Sequence, residues 1–120
     1  MGKEQFDNTV KVEWLEDDPR LMRLLEPVKF TDSKGLVWVA QEQSLIDGAS
    51  IPKFFWRVIG SPFIGYYRRS SVIHDVYCIN QTRPAQDVHD CFREMMIADG
   101  VPDIRVETMY QAVNSFGPRW

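Results

Sequence analysis

The side chains best suited to acid-base chemistry lie in the second half of the 120-residue sequence. His74 is followed directly by Asp75, and His89 is followed directly by Asp90; the chain contains two histidines in all. A partly buried imidazole near carboxylates has a pKa that its surroundings can move, which suits proton transfer near neutral pH. These two His-Asp pairs are therefore the first candidates for a functional site.

The segments that carry the two pairs are predicted to be helices. They cover residues 66–79 and 85–98, on either side of a short polar connection. Two helices joined so closely run antiparallel. Folding the chain at this connection brings His74 level with His89 and Asp90, so we expect the two imidazoles to face each other.

Helical spacing separates the two faces of the second helix. His89 shares a stripe with Phe92 and is predicted to point inward, whereas Asp87 and Asp90 lie on the more polar side. The inward direction of His89 favours a contact with the first helix.

Two interpretations of this cluster stay open. In the first, His74 is the general base of a small hydrolase, Asp75 holds a hard cation such as calcium or magnesium, and Asp90 is a further candidate catalytic residue. If His74 and His89 both bind a metal, zinc is the better candidate. In the second, the histidines form a buried polar network that fixes the helix pair, and the protein is not an enzyme.

Further pocket candidates are polar residues on the first helix and on the loop before the helices. Asp47 and Ser50 could line the same cleft, although turn formation and helix capping also account for both residue types. Ser71 and Tyr77 line up with His74 along the first helix. The pocket candidates are Asp47, Ser50, Ser71, Tyr77 and Asp87.

The first half of the chain has the patterns of short strands. Residues 9–14 alternate between apolar and polar side chains with the period of a strand. Residues 32–35 form a tight-turn sequence that joins a strand in the second half of 21–30 to another over 36–41. Residues 44–46 are predicted to be a further short strand.

Together these patterns predict the α+β class, with a single domain over residues 1–120. A small N-terminal antiparallel sheet packs on a C-terminal set of three to four helices that includes the antiparallel helix pair. We expect residues 1–8 to be flexible, 9–46 to be mostly strands and 51–116 to be mostly helices. The last helix begins at residue 103 or 104 and ends at Phe116.

Composition limits the classes of function. The net charge of −3 and the pI near 5.3 argue against general nucleic-acid binding, because neutralising phosphates requires a basic surface. No apolar run reaches the roughly 18 residues that a membrane span needs. Cys78 and Cys91 are expected to be reduced, since their levels in the helix pair differ by roughly 7 Å.

Several runs resemble the domain-of-unknown-function 1353 family. They include Asp47 to Pro52, Gly60-Ser61-Pro62, Ile73-His74-Asp75, Met109 to Val113 and the ending Phe116 to Trp120, and the resemblance covers roughly residues 25–120. The members are small bacterial and bacteriophage proteins, so the resemblance implies a phage or prophage protein in the host cytoplasm or the virion. The implied partner is a phage or host protein, and a non-catalytic assembly or host-interaction role is favoured over a hydrolase.

The first His-Asp pair is also similar in arrangement to that of the secreted and prokaryotic phospholipases A2. That likeness implies that His74 activates water, that Asp75 binds calcium and that Asp87 or Asp90 orients His74. The disulfides and the glycine-rich calcium loop of those enzymes are missing from this sequence, so the likeness concerns mechanism only.

Overall fold

The structure is a computed structural model, and it describes residues 5–6, 11–14, 22–46 and 68–120. In these ranges all the strands precede the helices, which confirms the predicted α+β class. None of the helices in the described ranges is long and apolar enough to cross a membrane.

One sheet contains the predicted hairpin. β4 (Val28–Thr31) and β5 (Val37–Ala40) pair antiparallel, and β1 (Gln5–Phe6) pairs with the other edge of β4. Val28 and Phe30 are buried and the residue between them is exposed, so one face of β4 points into the core.

The remaining strands form a second sheet, which also has three strands. β3 (Met22–Leu24) lies between β2 (Val12–Trp14) and β6 (Leu45–Ile46), and both pairings are antiparallel. β6 was predicted, but β3 was not, because three residues are too few for an alternating pattern to be recognised. Met22 and Leu24 are buried, so tertiary packing defines this strand.

The carboxylate of Asp32 organises the hairpin turn. Its Oδ1 accepts the backbone N–H groups of Lys34 and Leu36, each at 2.9 Å, and its Oδ2 accepts the indole N–H of Trp38 at 3.0 Å. Gly35 has a φ of 82°, which glycine adopts without strain. Burial alone would raise the pKa of Asp32, but these hydrogen bonds outweigh it and lower the pKa below its usual value.

Three helices follow in the described part of the chain, α1 (Arg68–Asn80), α2 (Ala85–Ala98) and α3 (Asp103–Phe116). Wherever a predicted helix end falls within the described residues, the observed end agrees with it to within one residue. Pro84 and Pro102 each directly precede a helix, a position that suits the fixed φ of proline and its missing N–H.

α1 is the central element of the core. It contacts β4, β5 and β6 as well as α2, and α2 in turn contacts α3. Complete burial of one large apolar side chain contributes about 1.5–3 kcal/mol, so the core is the main stabilising feature. Its largest fully buried apolar members are Leu24, Phe30, Ile46, Ile73, Phe92, Met95, Met96 and Met109.

Asp32→Asn is expected to lower the free energy of unfolding at about pH 7 by about 1–3 kcal/mol, because an amide nitrogen would face one of the N–H donors. The stabilisation by Asp32 comes from its ionised form, whose pKa is lower in the folded protein. It is fully present above the unfolded-state pKa of about 4 and is lost as the pH falls through the folded-state pKa. Urea unfolding at about pH 7 and about pH 3 measures this difference.

The matched control is Glu42→Gln, which removes an exposed carboxylate from the connection between β5 and β6. It is expected to change the free energy of unfolding by less than about 0.5 kcal/mol. The account of the turn is wrong if Asp32→Asn costs the same free energy at both pH values.

Candidate functional site

The two imidazoles meet in the interior between α1 and α2. The Nε2 of His74 lies 2.9 Å from the Nδ1 of His89, and the ring centroids are 5.1 Å apart. The meeting predicted from the short helix connection is therefore confirmed. Both rings are buried, since His74 is 1% exposed and His89 is 0% exposed.

His89 makes a second hydrogen bond to the C-terminal segment. Its Nε2 lies 2.9 Å from the backbone carbonyl oxygen of Pro118, which can only accept, so this nitrogen carries the proton. In a neutral His89 the Nδ1 is then an acceptor, and the Nε2 of His74 is the donor between the rings. A directional chain of hydrogen bonds thus runs from His74 through His89 to Pro118.

Burial keeps both imidazoles neutral. It lowers the pKa of His74 well below the usual value of 6.5, and the adjacent His89 lowers it further. Burial also lowers the pKa of His89, although the Pro118 carbonyl favours the charged form. The tautomers deduced above are therefore those of the neutral pair.

Cys78 adjoins the histidine pair. Its Sγ lies 3.6 Å from the Nε2 of His74 and 3.9 Å from the Nδ1, because residues four apart share one face of a helix. Burial and, less strongly, the carboxylate of Asp75 raise the pKa of the Cys78 thiol to about 12. On another side, the Phe92 ring stacks on His74 with centroids 4.4 Å apart.

Two other predicted site residues are buried on α1. Asp75 is 1% exposed, and so is Ser71, which lies one helical turn before His74. The hydroxyl of Ser71 has no hydrogen-bond partner in the described part of the chain. An unpaired buried hydroxyl costs about 1–3 kcal/mol of folding free energy.

Asp90 and Asp87 lie on the outer face of α2, where both are exposed. The Oδ1 of Asp90 accepts hydrogen bonds from Tyr110 at 2.6 Å and from Gln86 at 2.8 Å. Adjacent helical residues point about 100° apart, so the inward direction of His89 turns Asp90 toward α3. The structure therefore does not bring Asp90 to His74. Asp47 and Ser50 lie outside the described residues.

Tyr77 joins α1 to the sheet. Its hydroxyl oxygen accepts the backbone N–H of Val39 at 3.0 Å, and its ring packs edge-on against Trp38 with centroids 5.0 Å apart. The Arg83 guanidinium lies 4.2 Å above the Trp38 ring and donates to the Val37 carbonyl at 2.9 Å. The contacts of Tyr77 are those of a structural residue.

The chain after α3 folds back over α2. A Cβ at Gly117 would lie 2.5 Å from the Val113 carbonyl oxygen, so only glycine allows this close return. The Trp120 indole donates to the Arg83 carbonyl at 2.7 Å, and Arg119 donates to the Asn114 carbonyl at 2.9 Å. These contacts hold the Pro118 carbonyl against His89.

Two members of the cluster were missed by sequence reasoning. Cys78 was predicted only to be reduced, although its spacing of four from His74 places both on one helix face. No sequence pattern indicated Pro118, because it contributes its backbone carbonyl, which reaches His89 only where the chain folds back after α3.

The fold and the cluster define a small α+β domain with a helix-borne histidine pair. A family model described as "Protein of unknown function (DUF1353)" matches residues 22–113, so the chain belongs to this family. The resemblance noted from the sequence is thereby confirmed. No solved structure matches the chain, and these comparisons give no support to the likeness to phospholipases A2.

Two curated relatives come from Sinorhizobium fredii (strain NBRC 101917 / NGR234). The uncharacterized protein y4jT is 43% identical over 109 residues, which are 90% of this chain and 32% of y4jT. The uncharacterized protein y4iH is 36% identical over 91 residues, which are 76% of this chain and 38% of y4iH. The chain thus spans about a third of the length of these relatives.

Tyr77→Phe is expected to lower the free energy of unfolding by about 1 kcal/mol, because the Val39 N–H loses its acceptor. Urea unfolding measures the loss. Ser115→Ala is the control, since it removes a hydroxyl from an exposed position on α3. An equal or smaller loss for Tyr77→Phe than for the control would contradict this role.

Proposed function

We propose that this domain is a non-catalytic protein module, which serves a phage or prophage in virion assembly or in host interaction. The observation that supports this proposal is the complete burial of His74 and His89, which are hydrogen-bonded to each other and to Pro118. A general base must come within hydrogen-bonding reach of its substrate, and a closed core offers no such access.

The hydrogen bond between His74 and His89 is a polar contact at one fixed position along α1 and α2. A buried polar group without a partner costs free energy, so any shift of α1 along α2 that separated the two imidazoles would be penalised. The pair therefore selects one register of the two helices. This is a role in specifying the fold, and it requires no substrate.

The lengths of the relatives are in keeping with a module. The region similar to this chain makes up 32% of y4jT and 38% of y4iH, so in both proteins it is one part of a longer polypeptide. A compact unit that recurs in this way is suited to joining other components.

The partner we propose is a phage or host protein. The net charge of −3 does not favour a phosphate backbone, because affinity for nucleic acid rests on Lys and Arg that neutralise phosphates. The corresponding locations are the cytoplasm of the bacterial host and the virion.

The alternative is a hydrolase with His74 as general base. The unpaired Ser71 hydroxyl on the same helix is the observation that favours it, because an unsatisfied buried group can mark a functional site. The buried pair would have to open in order to admit water and substrate.

His74→Ala is expected to lower the free energy of unfolding by about 2–4 kcal/mol, because it leaves a cavity and removes the donor to His89. His74→Gln is expected to cost less, since an amide can still donate. Asp90→Asn is the exposed control, with a change below about 1 kcal/mol. Thermal and urea unfolding measure all three variants.

Turnover assays distinguish the two functions. We expect no hydrolysis of ester, amide or phospholipid substrates with Ca²⁺, Mg²⁺ or Zn²⁺ present. Hydrolysis by the wild type that a folded His74→Gln variant lacks would overturn the non-catalytic proposal.

A further inference from the structure

We propose that His74, Cys78 and His89 form a binding site for a divalent transition-metal ion, with Zn²⁺ as the best fit. One ligand atom from each residue can be chosen so that all three lie within 4.8 Å of one another, and all three residues are buried. This inference is independent of the proposed function, because a buried metal can stabilise a module as well as serve an enzyme.

Two of the three distances between the ligand residues are close to those of a tetrahedral zinc site, and the third, between Cys78 and His89, is within 4.8 Å. Zinc bonds of about 2.0–2.1 Å to nitrogen and about 2.3 Å to sulfur place N and S ligands roughly 3.6 Å apart and two N ligands roughly 3.3 Å apart. The Cys78 Sγ lies 3.6 Å from the His74 Nε2, as required. The two imidazole nitrogens lie 2.9 Å apart, so they need to separate by only about 0.4 Å.

The two helices give the site a firm frame. His74 and Cys78 are one turn apart on the same face of α1, and His89 reaches them from α2. Because the ligands come from two packed helices, uptake of a metal would link those helices directly. Such a link stabilises the folded state by the free energy of binding.

The Pro118 carbonyl orients one ligand for metal binding. It accepts the Nε2 proton of His89 at 2.9 Å and so leaves the lone pair on the Nδ1, which points at His74. A metal-bound histidine almost always donates its other N–H to such an acceptor. The contact is therefore a ready-made supporting interaction for a ligand.

The proton balance of uptake follows from the tautomers. A neutral imidazole binds a metal through a ring nitrogen that carries no proton, so the two neutral histidines release none. The Cys78 thiol loses its proton to solvent as the metal–sulfur bond forms. One proton is therefore released for each metal ion bound.

The donor set and the charges select the kind of ion. Two imidazole nitrogens and a thiolate suit Zn²⁺, whereas Ca²⁺ and Mg²⁺ require oxygen ligands. The Cys78 thiolate cancels one of the two positive charges of the ion, which reduces the cost of burying it. Among the described residues these three potential ligands lie close enough together to hold one ion.

The test is titration of the reduced, chelator-treated full chain with Co²⁺, followed by displacement with Zn²⁺. We expect one ion per chain, the visible absorption of tetrahedral Co²⁺, a sulfur-to-cobalt charge-transfer band and release of one proton. We also expect a rise in melting temperature with Zn²⁺ and none with Ca²⁺. Absence of saturable Co²⁺ and Zn²⁺ binding by the wild type would overturn the proposal without any variant.

Two cysteine variants locate the ion. Cys78→Ser is expected to abolish the charge-transfer band and to weaken Co²⁺ binding by more than about 100-fold, beyond what loss of a supporting contact causes. Cys91→Ala is the matched control, because Cys91 is buried and reduced but lies outside the cluster. This variant is expected to keep the charge-transfer band and the wild-type affinity for Co²⁺. Circular dichroism verifies that each variant is folded. A band lost in Cys91→Ala and kept in Cys78→Ser would place the ion elsewhere.

Discussion

The structure depends on one buried contact, the hydrogen bond between His74 and His89. Two buried imidazoles need hydrogen-bond partners, because an unpaired buried polar group has a substantial cost in free energy. Once the rings face each other, the remaining N–H of His89 still needs an acceptor. The Pro118 carbonyl supplies it, so the chain after α3 has to return across α2. A single polar requirement thus orders two helices and the C-terminal segment.

The hydrogen bonds of the two histidines also bear on the metal site that we propose. The hydrogen bond to Pro118 leaves the lone pair of the His89 Nδ1 directed toward His74, and Cys78 places a sulfur beside the His74 ring. The polar network and the metal site that we propose therefore share the same two histidines. Tyr77 and Arg83 attach this helix pair to the hairpin through Trp38, which makes the cluster part of the common core.

The helices were predictable from the sequence and the strands only partly so. α2 and α3 are long enough for their apolar period to repeat, and Pro84 and Pro102 mark their starts. The β4–β5 hairpin was predictable because its turn sequence contains the residues that a tight turn requires. β3 was not, because three residues carry too little pattern and the strand is defined by its neighbours on both edges.

The sequence by itself determined that the two histidines would meet, since a short connection between two helices leaves one way to fold them and sets the residues that lie level. It did not determine what surrounds them. Asp90 points toward α3 and not toward His74, because helical geometry rotates neighbouring residues apart. Only the tertiary structure decided that the last acceptor is the backbone of Pro118. That carbonyl reaches His89 through a chain reversal, and a backbone group is present in every residue and so leaves no mark in the sequence.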